Sequence, residues 1–164
     1  HGLKQIAILR DRFGEKCMIG AGTAISVDLA KAAIGAGAQF LLTPGTPIDV
    51  LQYCAKKDIM LLPGVFTPGD VATSLEFGYK TMKLFPAGCA PKGYLKALKG
   101  PYDEANYIAI GGVTIDNIND YFKEGYMGVG LASNLMPLSV LKDKNWDLGV
   151  SYVQKYVSRV KRRV

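Results

Sequence analysis

The segment Tyr79-Lys80-Thr81-Met82-Lys83-Leu84-Phe85, which Pro86 follows, is an apolar run with Lys83 near its centre. Such runs are typical of parallel strands, because packing covers both of their faces. A lysine fits this setting poorly as a cation, since burying an unpaired ammonium is costly and drives the amine towards its neutral form. A neutral lysine at the carboxyl end of a barrel strand is a nucleophile for Schiff-base formation with a carbonyl substrate. The segment therefore predicts an enzyme in which Lys83 reacts covalently, with a pKa lowered by burial and neighbouring cations.

The composition predicts one globular domain over residues 1–164. Of these residues 49% are hydrophobic and 21% charged, which suits a chain that buries a core. No apolar stretch has the length of a membrane span, and the start of the sequence lacks the apolar region of a signal peptide. The three cysteines are too widely spaced for a disulfide framework or a zinc site, which favours a reducing compartment. We therefore expect a cytoplasmic protein with no membrane partner.

The net charge of +6 has two interpretations. The first is a solubilising basic C-terminus, because basic residues crowd there at Lys155, Arg159, Lys161, Arg162 and Arg163. The second is attraction of a small anionic substrate. The sequence contains no recognition-module signature and no basic stripe with interleaved aromatic residues, so no nucleic-acid partner is expected.

Strand-like and helix-like segments alternate along the whole chain. The strand-like runs are residues 17–20, 39–43, 60–63, 81–85, 107–110 and 127–130. The helical patterns are residues 3–13, 27–36, 48–57, 69–77, 92–98, 115–123 and 146–160. Alternation with short Gly and Pro turns predicts right-handed βαβ units and a parallel sheet.

Two architectures fit this alternation, a doubly wound open sheet and a (β/α)₈ TIM barrel. The open sheet favours a G-x-G-x-x-G turn after its first strand, and GAGTAI at residues 20–25 lacks the last glycine. The barrel is supported by two loops, Gly111-Gly112 after the fifth run and Gly130 with Ser133 after the sixth. Barrel enzymes often bind phosphate on the loops after their last two strands. Glycines also suit tight turns, but the two loops together favour a phosphate site.

The strand count indicates an N-terminally incomplete barrel. A closed barrel of this class has eight strands, and the sequence provides about six β/α units. The chain opens on a helical pattern, so we expect the first two strands to be absent and a gap to lie in their place.

Seven short motifs occur in order along nearly the whole chain. They are GAGT (20–23), AGAQF (36–40), TPG (43–45), PGVFTP (63–68), KLFPA (83–87), YLKALKGP (94–101) and GGV (111–113). In this order they resemble the 2-keto-3-deoxy-6-phosphogluconate (KDPG) aldolase family, also described as 4-hydroxy-2-oxoglutarate aldolases. KLFPA together with the other motifs is highly specific evidence for this resemblance, whereas each of the other motifs by itself is weak evidence.

The resemblance implies a class I aldolase on a TIM barrel, assembled as a homotrimer, with no cofactor or metal. Lys83 would form a Schiff base with the C2 carbonyl of a phosphorylated 2-keto-3-deoxy sugar acid, which is cleaved to release pyruvate. Thr23 would help to hold the pyruvyl carboxylate, while Pro44 and Phe85 would wall the pyruvate pocket. The residues implied for phosphate binding are Gly111, Gly112, Gly130 and Ser133.

The chain departs from the family pattern in two places. The family's proton-transferring glutamate and a substrate-binding arginine lie on an early barrel strand that has no matching segment here. Glu15 and Arg10 lie on the opening helix or its loop and do not match that motif. In addition, Ala109-Ile110 precede the two glycines, where the family often has Pro-Thr. The related 2-dehydro-3-deoxy-6-phosphogalactonate aldolases also tend to be apolar at this place.

Three functions are open at this point. The leading one is cleavage of 2-dehydro-3-deoxy-6-phosphogluconate to pyruvate and glyceraldehyde 3-phosphate, with the phosphogalactonate epimer as the alternative substrate. The second is a barrel fragment that binds phosphorylated ligands without catalysis, which the missing glutamate favours. The third is another phosphate-binding barrel enzyme, such as an epimerase, in which Lys83 is structural or paired with a carboxylate.

Overall fold

The computed structural model describes residues 2–161 as an α/β fold. The strands are β1 (Gly20–Ala21), β2 (Phe40–Leu42), β3 (Leu61–Leu62), β4 (Gly64–Val65), β5 (Thr81–Leu84), β6 (Asn106–Ile110) and β7 (Gly128–Gly130). The helices are α1 (Gly2–Phe13), α2 (Val27–Gly35), α3 (Ile48–Lys56), α4 (Pro68–Glu76), α5 (Tyr94–Lys99), α6 (Ile118–Glu124), α7 (Leu138–Lys142) and α8 (Trp146–Lys161), with a 3₁₀ helix at Ala87–Cys89. Arg162 and Arg163 of the basic C-terminus lie outside the described residues.

All strand pairs are parallel, as the alternation predicts. β1, β2 and β3 form a three-stranded sheet, and β4, β5, β6 and β7 form a four-stranded sheet. β3 and β4 are two parts of one extended segment that breaks at Pro63. Within residues 2–161 the strands do not close into a barrel, so the prediction of an incomplete barrel with about six strand segments is confirmed.

Local sequence explains where the helices around the strands begin. Ser26 caps α2, because its hydroxyl accepts a 3.3 Å hydrogen bond from the Leu29 N–H. α4 begins with a capping box, in which the Thr67 hydroxyl accepts from the Asp70 N–H and the Asp70 carboxylate accepts from the Thr67 N–H. A cap of this kind contributes about 1 kcal/mol. Pro68 occupies the first turn, where its missing N–H removes no helical hydrogen bond.

The helices cover one face of the strands, and two hydrophobic clusters form there. One cluster includes Leu41 and Leu61 of the first sheet. The other includes Met82 and Leu84 of the second sheet, both fully buried. Side chains alternate along a strand, so the intervening residues project to the opposite side, which we call the inner face. Its residues include Phe40, Leu42, Leu62, Thr81, Lys83, Phe85, Ile108 and Ile110.

All predicted elements are present, with shifted boundaries and two additions. The first strand lies at Gly20–Ala21 rather than at residues 17–20. Helix α7 and the 3₁₀ helix were not predicted, because five and three residues are too few for a helical period to repeat.

The break at Pro63 follows from proline chemistry. Proline has no N–H to give to a strand ladder, so the pairing is interrupted at this residue. Its carbonyl accepts a 2.8 Å hydrogen bond from the Lys83 N–H, which keeps β5 aligned with this segment. Thr43 joins the two sheets across the break, because its hydroxyl accepts a 3.1 Å hydrogen bond from the Gly64 N–H.

Candidate active site

Lys83 lies on the inner face in the middle of the second sheet. In register it stands between Gly64 of β4, which has no side chain, and Ile108 of β6. Its side chain is partly buried, whereas its neighbours Met82 and Leu84 are fully buried on the helix side. The lysine therefore projects away from the helix layer.

The Lys83 amine has an apolar and aromatic environment. Its Nζ lies 4.2 Å from the centre of the Phe85 ring, a cation–π distance. Burial lowers the pKa of Lys83 below its ordinary value. The prediction that neighbouring cations also lower the pKa of Lys83 is wrong, because burial is the sole cause of the lowered pKa. Among residues 2–161 no carboxylate oxygen lies within 4.0 Å of the amine, so none of the described carboxylates forms the pair of the third hypothesis.

Phe85 connects the lysine strand to the glycine loop after β6. A Cβ added at Gly111 would lie 3.2 Å from the Phe85 ring, so the ring packs directly against this glycine. The Gly88 N–H, in the 3₁₀ helix, donates a 2.8 Å hydrogen bond to the Gly111 carbonyl. A Cβ at Gly112 would lie 2.8 Å from the Gly88 Cα, closer than real Cβ atoms come. The KLFPA and GGV motifs are therefore in contact.

The glycine loop presents free backbone donors in a fixed conformation. Gly111 and Gly112 have φ values of 89° and 82°, a left-handed region that favours glycine. Their N–H groups donate to no acceptor among the described residues. Asn117 holds the loop, because its Nδ2 donates to the Gly112 carbonyl at 2.9 Å and its Oδ1 accepts from the Thr114 N–H at 2.7 Å. Successive free N–H groups of this kind can bind an oxyanion.

The loop after β7 lies beside the glycine loop. Gly130 pairs in register with Ile110, and a Cβ at Gly130 would lie 2.7 Å from the Ile110 Cγ1. Asn134 joins the two loops, because its Nδ2 donates a 3.1 Å hydrogen bond to the Val113 carbonyl. Ser133 is exposed, and its N–H has no acceptor among residues 2–161. The four residues predicted to bind phosphate thus lie at the carboxyl ends of two adjacent strands, β6 and β7, and in the loops that follow them.

Thr23 and Pro44 belong to the first sheet and are exposed. Thr23 follows β1 with a φ of 62°, a left-handed conformation that a β-branched residue rarely adopts. Such strain costs about 1–3 kcal/mol and clusters at functional sites. A Cβ at Gly64, the register partner of Lys83, would come within 2.4 Å of the Pro44 carbonyl carbon. The structure thus brings Pro44 close to the lysine strand and leaves Thr23 beside the outer strand of the first sheet.

Three polar side chains that were not predicted hold these loops. Asp70 accepts a 2.8 Å hydrogen bond from the Thr67 N–H and a 3.4 Å hydrogen bond from the Thr46 hydroxyl, which joins the loops after β2 and β4. Asn117 and Asn134 act similarly after β6 and β7. The T-x-x-D spacing from Thr67 to Asp70 signals a capping box. We find no sequence signal for the two asparagines.

A cavity of about 620 Å³ lies between the 3₁₀ helix and α6, away from Lys83. Gly88, Asn117 and Tyr121 are among its lining residues. These walls belong to the outer loops and the helix layer, not to the inner face. We therefore place the candidate active site by its chemistry, at Lys83 and the two glycine-containing loops, and not by cavity size.

Other kinds of site find no support in the described part of the chain. Residues 2–161 contain no group of three or more His, Cys, Asp or Glu side chains that could hold a metal ion. No helix in this part is both long and apolar enough to cross a membrane. Cys17, Cys54 and Cys89 are free thiols, and Cys54 is buried.

The sequence is similar to those of known aldolases. The sequence profile of the family described as KDPG and KHG aldolase matches residues 1–151. The chain is 30% identical over 155 residues to the 2-dehydro-3-deoxy-6-phosphogalactonate aldolase of Escherichia coli, which covers 93% of this chain and 75% of that protein. It is 33% identical over 148 residues to the 2-dehydro-3-deoxy-phosphogluconate aldolase of Pseudomonas aeruginosa, which covers 89% of this chain and 66% of that protein.

The fold is similar as well. The crystal structure of KDPG aldolase from Legionella pneumophila, with pyruvate captured as a covalent carbinolamine intermediate, matches with a TM-score of 0.85 and 29% sequence identity. The match covers 92% of this chain and 73% of that one. The 164 residues thus span about two thirds to three quarters of the length of these relatives.

Proposed function

The chain belongs to the KDPG and KHG aldolase family, and from this we propose that the protein is a class I aldolase that uses Lys83. The proposed reaction cleaves 2-dehydro-3-deoxy-6-phosphogluconate to pyruvate and glyceraldehyde 3-phosphate. The observation that carries the proposal is the Lys83 amine itself. It is partly buried on the inner face, its pKa is lowered, and no carboxylate pairs with it among residues 2–161. A lysine in this state has a larger neutral, nucleophilic fraction than a solvated one.

In the proposed reaction the neutral Lys83 amine attacks the C2 carbonyl of the sugar acid. The resulting carbinolamine loses water and becomes an iminium ion, which withdraws electrons from the C3–C4 bond. Loss of the C4 hydroxyl proton breaks this bond, and glyceraldehyde 3-phosphate leaves. The remaining enamine takes a proton at C3, and water then hydrolyses the iminium to pyruvate and the free amine.

These proton transfers need an acid/base group. Arg10 lies in α1 and Glu15 is exposed in the turn that follows, so neither lies on the inner face. A positioned acid/base contributes about 10²–10⁴-fold to the rate. We therefore propose that these 164 residues form the Schiff base but turn over slowly by themselves.

Ile110 bears on which sugar-acid epimer is preferred. It lies on the inner face against Gly130, at the start of the proposed phosphate loops. Its side chain offers methyl groups and no hydroxyl, so it cannot hydrogen-bond the C4 hydroxyl at which the two epimers differ. This favours the phosphogalactonate as the second candidate substrate, because a missing hydrogen bond weakens discrimination between the two acids.

We also propose that the protein acts in the cytoplasm as a homotrimer. Ile25, Leu29 and Ile48 are exposed at 54%, 50% and 51%, and they lie near the starts of α2 and α3. Exposed apolar groups of this kind mark surfaces that partner subunits bury. Sedimentation should give about three times the 17.7 kDa chain mass, and a monomer would contradict the trimer.

The test is pyruvate release from each sugar acid, with Lys83→Ala as the blank. We expect slow release by the chain, none by Lys83→Ala, and faster release after fusion of the glutamate-bearing segment of a family member to the N-terminus. Equal rates with and without that segment would show that another residue transfers the proton. Binding of the sugar acids without pyruvate release from any version would support the non-catalytic alternative.

A further inference from the structure

We propose that Lys155 of α8 supplies the positive charge of the phosphate subsite, beside the loop that carries Ser133. This inference rests on the proposed function, because it takes the phosphorylated end of the sugar acid as the ligand. The four residues predicted for this subsite carry no formal charge. A phosphate dianion is held more strongly where a cation joins the backbone and hydroxyl donors.

A cavity of about 420 Å³ places Lys155 and Ser133 on the same walls. Thr114, from the loop after β6, and Asn134, from the loop after β7, line it too. Of the described residues that form its walls, Lys155 is the single charged one. Apolar and aromatic side chains, among them Ile115, Met136 and Pro137, form the rest of the walls. The one cation therefore lies beside the Ser133 and Thr114 hydroxyls with no carboxylate on the same walls, which suits an anion.

Helix α8 is attached to this loop, so the lysine is positioned. The buried Tyr156 donates a 2.7 Å hydrogen bond from its hydroxyl to the Asn134 carbonyl. Asn134 in turn bonds to the Val113 carbonyl, which couples α8 to both loops. The Lys155 Nζ lies 4.9 Å from the centre of the Tyr152 ring, and Tyr152 lines the same cavity. This contact holds the amine beside the cavity wall.

Free donors surround the same cavity. The Thr114 hydroxyl accepts a 3.3 Å hydrogen bond from the Asn117 N–H, and its own O–H has no acceptor among the described residues. The Ser133 hydroxyl and N–H are likewise unbonded within residues 2–161. A second cavity of about 450 Å³ brings Arg159 next to Lys155, again with no acidic residue on its described walls. The described walls of the two cavities thus carry Lys155 and Arg159 and no carboxylate.

The other lysines near the glycine loop suit an anion less well. Lys92 and Lys123 line the 620 Å³ cavity together with Asp120 and Glu124. Lys123 also pairs with Asp120 at 2.9 Å. A phosphate at that position would meet carboxylate repulsion, which the Lys155 cavity lacks.

The experiment titrates the full chain with inorganic phosphate and follows the amide signals of Gly111, Gly112 and Ser133 by NMR. Lys155→Gln should raise the Kd for phosphate roughly three- to tenfold, Lys155→Arg should keep it close to wild type, and the control Lys96→Gln on α5 should leave it unchanged. Added NaCl should weaken phosphate binding more in the wild type than in Lys155→Gln. The unperturbed spectrum of each variant reports that it is folded.

An unchanged Kd in Lys155→Gln overturns the inference, and so does phosphate that shifts only amides outside the two loops. Pyruvate trapping at Lys83 separates this result from the proposed function. If trapping fails while phosphate affinity depends on Lys155, the aldolase proposal falls, and Lys155 is left as a phosphate-binding residue without the sugar acid as its ligand. If trapping succeeds and phosphate affinity does not depend on Lys155, the inference about Lys155 is wrong and the aldolase proposal stands.

Discussion

The two sheets differ in how firmly they hold the residues of the candidate active site. In the second sheet β5 and β6 pair over four register positions, and the Phe85 ring contacts both Lys83 and Gly111. In the first sheet each strand pair shares only two positions, as β4 and β5 also do, and Thr23 and Pro44 are exposed. The groups proposed for covalent chemistry and phosphate binding are thus built within one sheet. Thr23, proposed for the pyruvyl carboxylate, and Pro44, proposed as one wall of the pyruvate pocket, depend on the other.

A small set of hydrogen bonds through Thr43 connects the two sheets. The Gly64 N–H donates to the Thr43 hydroxyl, which itself donates a 2.6 Å hydrogen bond to the Gly45 carbonyl. Thr43 is fully buried, and each sheet has its own hydrophobic cluster. This junction therefore places Pro44 beside Gly64 of β4, the strand that pairs with the lysine strand.

Gly64→Ala should break the junction and give the largest effect. The added Cβ would lie 2.4 Å from the carbonyl carbon and 2.5 Å from the carbonyl oxygen of Pro44, so backbone must move. We expect a loss of about 3 kcal/mol in the free energy of unfolding, measured by urea denaturation. In the control Gly45→Ala nothing lies within 4 Å of the new Cβ, so the change should be small. Equal stability of the two variants would show that the sheets are not held together here.

Asp70→Asn should loosen the second link between the sheets, through the Thr46 hydroxyl. Burial by itself raises the pKa of Asp70, but hydrogen bonds from Thr67, Phe66 and Thr46 outweigh it, so this pKa lies below its ordinary value. A carboxyl with a lowered pKa contributes stability above its unfolded pKa of about 3.9, and this stability is lost as the pH falls through the folded pKa. We expect Asp70→Asn to cost about 1 kcal/mol at neutral pH.

Urea denaturation at neutral and acidic pH measures this cost. The difference between wild type and Asp70→Asn should shrink once the wild-type carboxyl is protonated. Asp103→Asn, in an exposed loop, is the matched control and should show no such trend. A cost that stays constant with pH would mean that the charge of Asp70 does not hold the loops.

Lys80, just before β5, and Lys83, within β5, allow a finer comparison. Burial lowers the pKa of Lys83, whereas the hydrogen bond and the attraction of Glu104 raise the pKa of Lys80. Only a neutral amine reacts with acetic anhydride, so the acetylation rate of Lys83 should level off at a lower pH than that of Lys80. Peptide mass spectrometry after competitive acetylation measures both rates in one sample. A midpoint for Lys83 at or above that of Lys80 would contradict an environment that favours the neutral amine.

The sequence predicted β5, β6 and β7 to within one residue at each end. Residues 81–85 were predicted and Thr81–Leu84 is observed, because the apolar run, Pro86 and the KLFPA motif all agree there. The first strand was misplaced by several residues, since a two-residue strand is defined by its pairing partner and not by local pattern. The break at Pro63 was missed for the same reason, although the proline explains it afterwards.

Only those residues of the candidate site that belong to recognisable sequence motifs could be predicted. Glycines in the loops after β6 and β7 are visible in sequence, and so is Lys83. Asn117 and Asn134 are not, because their amides bond to carbonyls in other parts of the fold and follow no periodic pattern. The predicted contribution of neighbouring cations to the pKa of Lys83 was wrong, because an apolar run does not show which charged groups fold next to an amine.

Pyruvate trapping tests the central claim most directly, because it asks whether Lys83 forms a Schiff base. The chain is incubated with pyruvate and sodium borohydride, and the reduced adduct is located by peptide mass spectrometry. We predict the adduct on Lys83, none on the solvent-exposed Lys80, and none at all in Lys83→Ala. An unlabelled wild type, or labelling that persists on other lysines in Lys83→Ala, would contradict the assignment of Lys83 as the nucleophile.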